Sequence, residues 1–140
     1  MNDADRSFIA EHRIHINNTL EMISSGLTDD TDKVKQVGIA TLVMNLYTGM
    51  EIIIQHILLD KNIRIQKSAH WHKELLSEAV RLQIISAEMQ SAMSDYMKFR
   101  HRHTHGYGYM DDWDIVKTLS ERARATVEKF FFELEKNGYL

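Results

Sequence analysis

The sequence predicts an all-α protein, a bundle of four long helices with one additional short helix. Proline, which breaks helices, is absent from the 140 residues. Apolar residues recur at intervals of three and four, which is the helical period, and no stretch shows the alternation typical of a strand. With 44% hydrophobic residues, the chain can bury a core without disulfides or structural metals. We therefore expect one helical domain spanning residues 1–140.

The first two helices are predicted over residues 3–25 and 32–60. Gly26 stands where a C-terminal cap of the first helix is expected. The polar turn that follows offers several capping side chains for the second helix. The second helix carries apolar residues on more than one face, so it should lie at the centre of the bundle. Gly38 and Gly49 lie inside it, where glycine disfavours a helix, and each is expected to mark a close helix crossing.

Three further helices are predicted over residues 70–82, 86–105 and 113–136. The middle one of these must end near Gly106, because Gly106 and Gly108 place two glycines within three residues. Asp111 and Asp112 are expected to cap the last helix. The predicted connections are short and polar, as in a helical bundle.

Composition and charge exclude several classes of protein. Lys and Arg number 17 against 20 Asp and Glu, so the net charge is −3 and a generally basic nucleic-acid-binding surface is excluded. The absence of cysteine excludes disulfides, iron–sulfur clusters and cysteine nucleophiles. The charged N-terminus does not resemble a signal peptide, and polar residues interrupt the most apolar stretch, residues 39–59. We therefore expect a cytoplasmic protein without a membrane segment.

One segment, residues 98–110, concentrates positive charge in this acidic chain. It contains no acidic residue and holds Lys98, Arg100, His101, Arg102, His103 and His105. Arginine suits phosphate because its planar guanidinium donates two parallel hydrogen bonds, and histidine exchanges a proton near neutral pH. Together they favour RNA cleavage by internal transfer. In that reaction a base deprotonates a ribose 2′-OH, the oxygen attacks the adjacent phosphate, and a cation stabilises the added negative charge.

The residues alone leave two other interpretations open. Basic side chains commonly lie solvated at the negative end of a helix dipole. Alternatively, His101 and His105 share a helical face and could bind a metal ion if further ligands joined them. The candidates for those ligands are His12, His15, His70 and His72. On a regular helix Arg100 and His105 lie about 140° apart, so a helix end at Gly106 is expected to re-aim His105.

The same segment resembles the signature of the HEPN ribonucleases. Arg100, His105 and Tyr107 read as R-x4-H-x-Y, which is similar to HepT-like toxins of the HEPN/MNT toxin–antitoxin systems. Residues 46–51, Leu-Tyr-Thr-Gly-Met-Glu, resemble the family's tyrosine–glutamate helix. Residues 71–76, Trp-His-Lys-Glu-Leu-Leu, resemble its W-H-x-E-L-L segment. These blocks occur in the family's order and span about half of the chain.

The resemblance implies a HEPN-type four-helix bundle that forms a homodimer, with two motifs facing each other as one ribonuclease centre. It implies cleavage of RNA, with tRNA as one candidate, without a metal or other cofactor. Arg100 and His105 are then the catalytic pair. Tyr107 is then the tyrosine to which an MNT-type nucleotidyltransferase antitoxin transfers AMP, and toxin and antitoxin can form a higher assembly.

Other residues are expected to bind RNA or to support the site. The expected RNA-binding residues are Lys98, His101, Arg102 and His103. Tyr47 and Glu51 lie four residues apart on one helical face and are expected to form a buried, hydrogen-bonded support. The dense histidines leave open which imidazole acts as the base. The alternative function is a non-catalytic HEPN-like binding module that partners a nucleotidyltransferase, and the intact R-x4-H motif favours the enzyme.

Overall fold

The computed structural model describes residues 1–107 and 110–140, which form five α-helices. The helices are α1 (Asp3–Gly26), α2 (Lys33–Asp60), α3 (Trp71–Arg81), α4 (Ala87–His105) and α5 (Trp113–Lys136). No β-strand occurs among these residues. Four helices are long and α3 is short, so the predicted all-α bundle with an additional short helix is confirmed.

Helix α2 lies at the centre of the bundle. It contacts α1, α3, α4 and α5, and its buried residues lie on more than one face, as the sequence predicts. Ile53, Ile54 and Ile57 are completely buried in the core that all five helices share. By length and mean hydropathy α2 could also cross a membrane, a property that the core helices of bundles share.

Local capping signals set most helix boundaries. Asn2, Asp32, Ser86 and Asp112 each accept a hydrogen bond from a backbone N–H of the first turn of the helix that follows. Such a side chain satisfies an N–H that has no partner within its helix. Helix α3 is the exception, because His70 precedes it without a side-chain cap. The predicted and observed boundaries therefore agree to within one residue.

The glycines of α1 and α2 differ from one another in their surroundings. A Cβ atom on Gly49 would lie 2.9 Å from Cγ1 of Ile16, so α1 and α2 do cross closely there. Gly26 is the last residue of α1 and not its cap, and a Cβ on it would lie 3.2 Å from Ile39. Nothing lies within 4 Å of a Cβ on Gly38, so the close crossing predicted at that residue is wrong.

Candidate functional site

A groove between the start of α3 and the second half of α4 holds most of the predicted site residues. Its volume is about 700 Å³, and its described lining contains no carboxylate. The cations that line it are Lys73, Lys98, Arg100 and Arg102, and the histidines are His70, His72, His101 and His105. In a chain with a net charge of −3, this local excess of positive charge focuses the electrostatic attraction of an anion on one place.

Arg100 and His105 line this groove from positions that a regular helix places about 140° apart. The groove accommodates both because it extends around an arc of about 200° of α4, from Arg100 to Arg102. Helix α4 remains regular through His105 and ends at Gly106, where the backbone becomes extended. The re-aiming of His105 that the sequence predicts is therefore not needed.

The guanidinium of Arg100 is held by side chains from two other helices. Its Nε donates a hydrogen bond to Oγ1 of Thr48 on α2 at 3.2 Å. Its Nη1 lies 3.1 Å from Nε2 of His72 on α3. A guanidinium can only donate, so both partner atoms act as acceptors. Arg100 is consequently fixed where α2, α3 and α4 meet.

The imidazole of His72 is held in turn by Glu51. Its Nδ1 lies 2.7 Å from Oε2 of Glu51, whose side chain is only 6% exposed. Tyr47 lies one turn before Glu51 and is almost completely buried. Its hydroxyl makes no well-formed hydrogen bond to the described residues. The predicted buried network therefore forms around Glu51, and Tyr47 contributes its packed ring.

The environment of Tyr47 keeps its phenol neutral. Burial raises the pKa of Tyr47, and the adjacent carboxylate of Glu51 raises it further, because a second negative charge beside the first is unfavourable. The positive charge of Arg100 opposes this increase without reversing it. Tyr47 therefore supports the site as a neutral, packed side chain.

His101 and His105 lie beside each other on the solvent side of the groove. Their ring centroids are 4.5 Å apart and both residues are exposed. Either imidazole can therefore reach a ligand bound in the groove. Among residues 1–107 and 110–140, however, no three His, Cys, Asp or Glu side chains lie close enough together to hold a metal ion. The metal interpretation lacks a third ligand in that part of the chain.

His103 does not line the groove. Its Nδ1 lies 2.6 Å from Oδ2 of Asp111, and both side chains are only 12% exposed. This pair ties the last turn of α4 to the start of the next helix. Asp112 alone caps α5, so the joint capping predicted for Asp111 and Asp112 is wrong for Asp111. The structure therefore separates His103 from the other predicted RNA-binding residues.

Tyr107 follows directly on the end of α4. It exposes 71% of its surface. Gly106 packs tightly against the last turn of α4. A Cβ atom on it would lie 3.1 Å from the carbonyl oxygen of Arg102. Gly108 and Tyr109 lie outside the described residues. The predicted modification site is thus placed at the end of α4, two residues beyond His105.

Sequence reasoning did not assign His72, Thr48 or Lys73 to the site. In the sequence His72 is a candidate metal ligand and part of the Trp-His-Lys-Glu-Leu-Leu block that resembles the family. That block and the family-like block of residues 46–51, which contains Glu51, are the signal that could have identified the pair of His72 and Glu51. The contact itself joins residues 21 apart on two helices, so it depends on the packing of α3 against α2.

The model of a protein family described as HepT-like protein matches residues 38–137. The match covers more than two thirds of the chain and includes all of the residues that line the groove. No curated protein and no solved structure matches the chain.

Proposed function

Since the chain belongs to the HepT-like family, with its all-α HEPN-type fold, we propose that it is the toxin of a HEPN/MNT toxin–antitoxin system and cleaves RNA. The observation that carries this proposal is the groove that holds Arg100 and His105 among further cations and histidines, without a carboxylate in its described lining. A polyanion is the ligand that such a lining favours. RNA as a substrate fits a cytoplasmic location.

The proposed reaction needs only groups of this chain and the RNA. His105 removes the proton of a ribose 2′-OH, and the oxygen attacks the neighbouring phosphorus. The bond to the 5′-oxygen of the next nucleotide breaks, and that oxygen takes a proton from an imidazolium or from water. Arg100 stabilises the negative charge that builds up on the phosphorane. The products are a 2′,3′-cyclic phosphate and a 5′-hydroxyl end.

The remaining lining residues have a simpler role in this proposal. Lys73, Lys98 and Arg102 bind neighbouring phosphates and so keep the strand in the groove. An MNT-type nucleotidyltransferase silences the enzyme by transferring AMP to Tyr107. The protein acts as a homodimer.

Substitution of the catalytic pair tests the proposal. We expect His105→Ala to reduce the rate of RNA cleavage by about 10²–10⁴-fold, the usual effect of losing a general base. Arg100→Ala should reduce it by about 10²–10³-fold, as for other lost groups that stabilise transition-state charge. Both variants should keep the helical circular dichroism spectrum and the melting temperature of the wild type to within a few degrees. The matched control is His15→Ala on α1, which should cleave RNA like the wild type.

End-group analysis and a chelator separate the remaining alternatives. The products should carry 2′,3′-cyclic phosphate ends, and an RNA with a 2′-deoxy nucleotide at the cleaved position should resist cleavage. EDTA should leave the rate of cleavage unchanged. A loss of activity on adding EDTA would support a metal site at His101 and His105. Binding of RNA without cleavage by the wild type would instead identify a non-catalytic binding module. Unchanged cleavage by His105→Ala would refute the assignment of the base.

A further inference from the structure

A line of three polar or charged side chains lies at the groove, and two of them are not part of the R-x4-H motif. It runs from the Glu51 carboxylate on α2 through the His72 imidazole on α3 to the Arg100 guanidinium on α4, with distances of 2.7 Å and 3.1 Å. Every step is a side-chain contact between different helices. The three groups therefore meet only in the folded bundle.

The two contacts of His72 assign one tautomer to its ring. Nε2 faces a guanidinium, which has no acceptor, so Nε2 must accept and carries no hydrogen. Nδ1 faces the carboxylate of Glu51, which accepts, so Nδ1 carries the hydrogen. The hydrogen bond made by one ring nitrogen commonly decides the state of the other. Both neighbours of His72 thus agree on a neutral imidazole with Nδ1 protonated.

This tautomer fixes the direction of the Arg100 side chain. An arginine on an open surface samples many rotamers, and ordering it during the reaction opposes catalysis. Here the Nε–H is directed to Thr48 and one N–H of Nη1 to His72. The N–H groups left on Nη1 and Nη2 remain able to bind a phosphate. The guanidinium of Arg100 is therefore oriented before RNA binds.

We propose that His72, oriented by Glu51, is a positioning residue that holds the guanidinium of Arg100 toward the scissile phosphate. The proposal deepens the ribonuclease function proposed above and rests on it for its kinetic consequence. The geometric part, which is the tautomer and the contact with Arg100, does not depend on activity. His72 itself transfers no proton in this scheme.

The kinetic test compares two replacements of His72. The amide of asparagine reaches about as far as Nδ1, so His72→Asn can keep the contact with Glu51 but not that with Arg100. The amide of glutamine reaches about as far as Nε2, so His72→Gln can offer its oxygen to Arg100. We expect His72→Asn to lower kcat by about 10–100-fold, as for other lost supporting contacts, with little change of KM. His72→Gln should recover much of that loss, and His15→Ala should behave like the wild type.

The shape of the pH–rate profile separates positioning from proton transfer. A positioning residue changes the height of the profile, so His72→Gln should retain both limbs. Loss of one limb in His72→Gln would identify His72 as an acid or a base and would overturn the proposal. Equal kcat in the wild type and His72→Asn would also overturn it.

A spectroscopic test does not require activity. Nitrogen-15 NMR of the wild type, at slightly alkaline pH, should show His72 as the tautomer with a hydrogen on Nδ1. In Glu51→Gln the amide can donate to Nδ1 or accept from it, so the population of the other tautomer should rise. Observation of the Nε2–H tautomer in the wild type would overturn the proposal. If the protein proves not to cleave RNA but shows the expected tautomer, the ribonuclease function fails while the contact with Arg100 stands.

Discussion

Tyr107 is the residue through which we expect the activity to be controlled. The residue is 71% exposed and follows the end of α4, close in sequence to Arg102 and His105. An adenylyl group on it would add a phosphate with a negative charge and a purine beside the cationic groove. The phosphate would pair with the cations that we propose bind RNA, much as a phosphorylated side chain can occupy an arginine cluster.

We therefore predict that co-expression with the cognate MNT-type nucleotidyltransferase adds one or more AMP groups at Tyr107 and abolishes RNA cleavage. Intact-mass and peptide mass spectrometry would measure the modification, and a ribonuclease assay its effect. Tyr107→Phe should remain active and should resist neutralisation. AMP found on Tyr109, or a Tyr107→Phe protein that AMP transfer still silences, would contradict the prediction.

At the scale of single residues, the structure brings Arg100 and His105 to one groove and leaves His103 outside it. Helical geometry could have excluded His103 from the groove, because His103 lies about 60° from Arg100 on the side opposite His105. That side of α4 carries the buried residues Tyr96 and Phe99. The whole run of basic residues predicts one site, although a helix directs its members to different faces. The pair formed by His72 and Glu51 was beyond such reasoning, because it depends on how two helices pack.

At the scale of helices, the crossing of α1 and α2 can be tested with a matched pair of substitutions. Gly38 and Gly49 lie in the same helix, and alanine favours a helix interior over glycine by about 0.5–1 kcal/mol. Gly38→Ala meets no neighbour within 4 Å and should raise the free energy of unfolding by about that amount. Gly49→Ala must displace Ile16, and overpacking typically costs about 1–3 kcal/mol.

We predict that Gly49→Ala is less stable than Gly38→Ala by at least about 1 kcal/mol. Urea denaturation, monitored by circular dichroism, would measure the difference in the free energy of unfolding. The comparison requires that this free energy depends equally on urea concentration in both variants. An equal gain in both variants would show that the Ile16 side chain moves aside without cost, and that the contact between α1 and α2 is not tight at this point.

The helices themselves were predictable because their signals are local. Asp32, Ser86 and Asp112 act on N–H groups within their own first turns, so the boundaries can be predicted from neighbouring residues. The role of a glycine is not local. Gly38 and Gly49 have the same intrinsic preference, and only the position of α1 distinguishes them. The sequence could therefore predict the elements but not which residues form their crossings.

At the scale of the whole molecule, the distribution of charge matters more than its sum. The chain has a net charge of −3, yet the described lining of the groove holds four permanent cations and no carboxylate. One groove supplies one arginine and one histidine of the motif, which is a small set for a transition state with two negative charges. Two grooves that face each other across a two-fold axis would double that set, and such symmetric dimers are the commonest oligomers.

We predict that the protein is a homodimer whose two R-x4-H motifs share one cleft. Light scattering of the purified protein should give twice the 16.4 kDa of the chain. Differently tagged Arg100→Ala and His105→Ala chains, co-expressed and purified as the mixed dimer, should cleave RNA at least about tenfold faster than either parent, because a lost base alone reduces the rate by ~10²–10⁴-fold. The mixed cleft keeps one intact arginine and one intact histidine, on opposite chains. An active monomer, or a mixed dimer no faster than its parents, would mean that each groove works alone and that Arg100 serves only the His105 of its own chain.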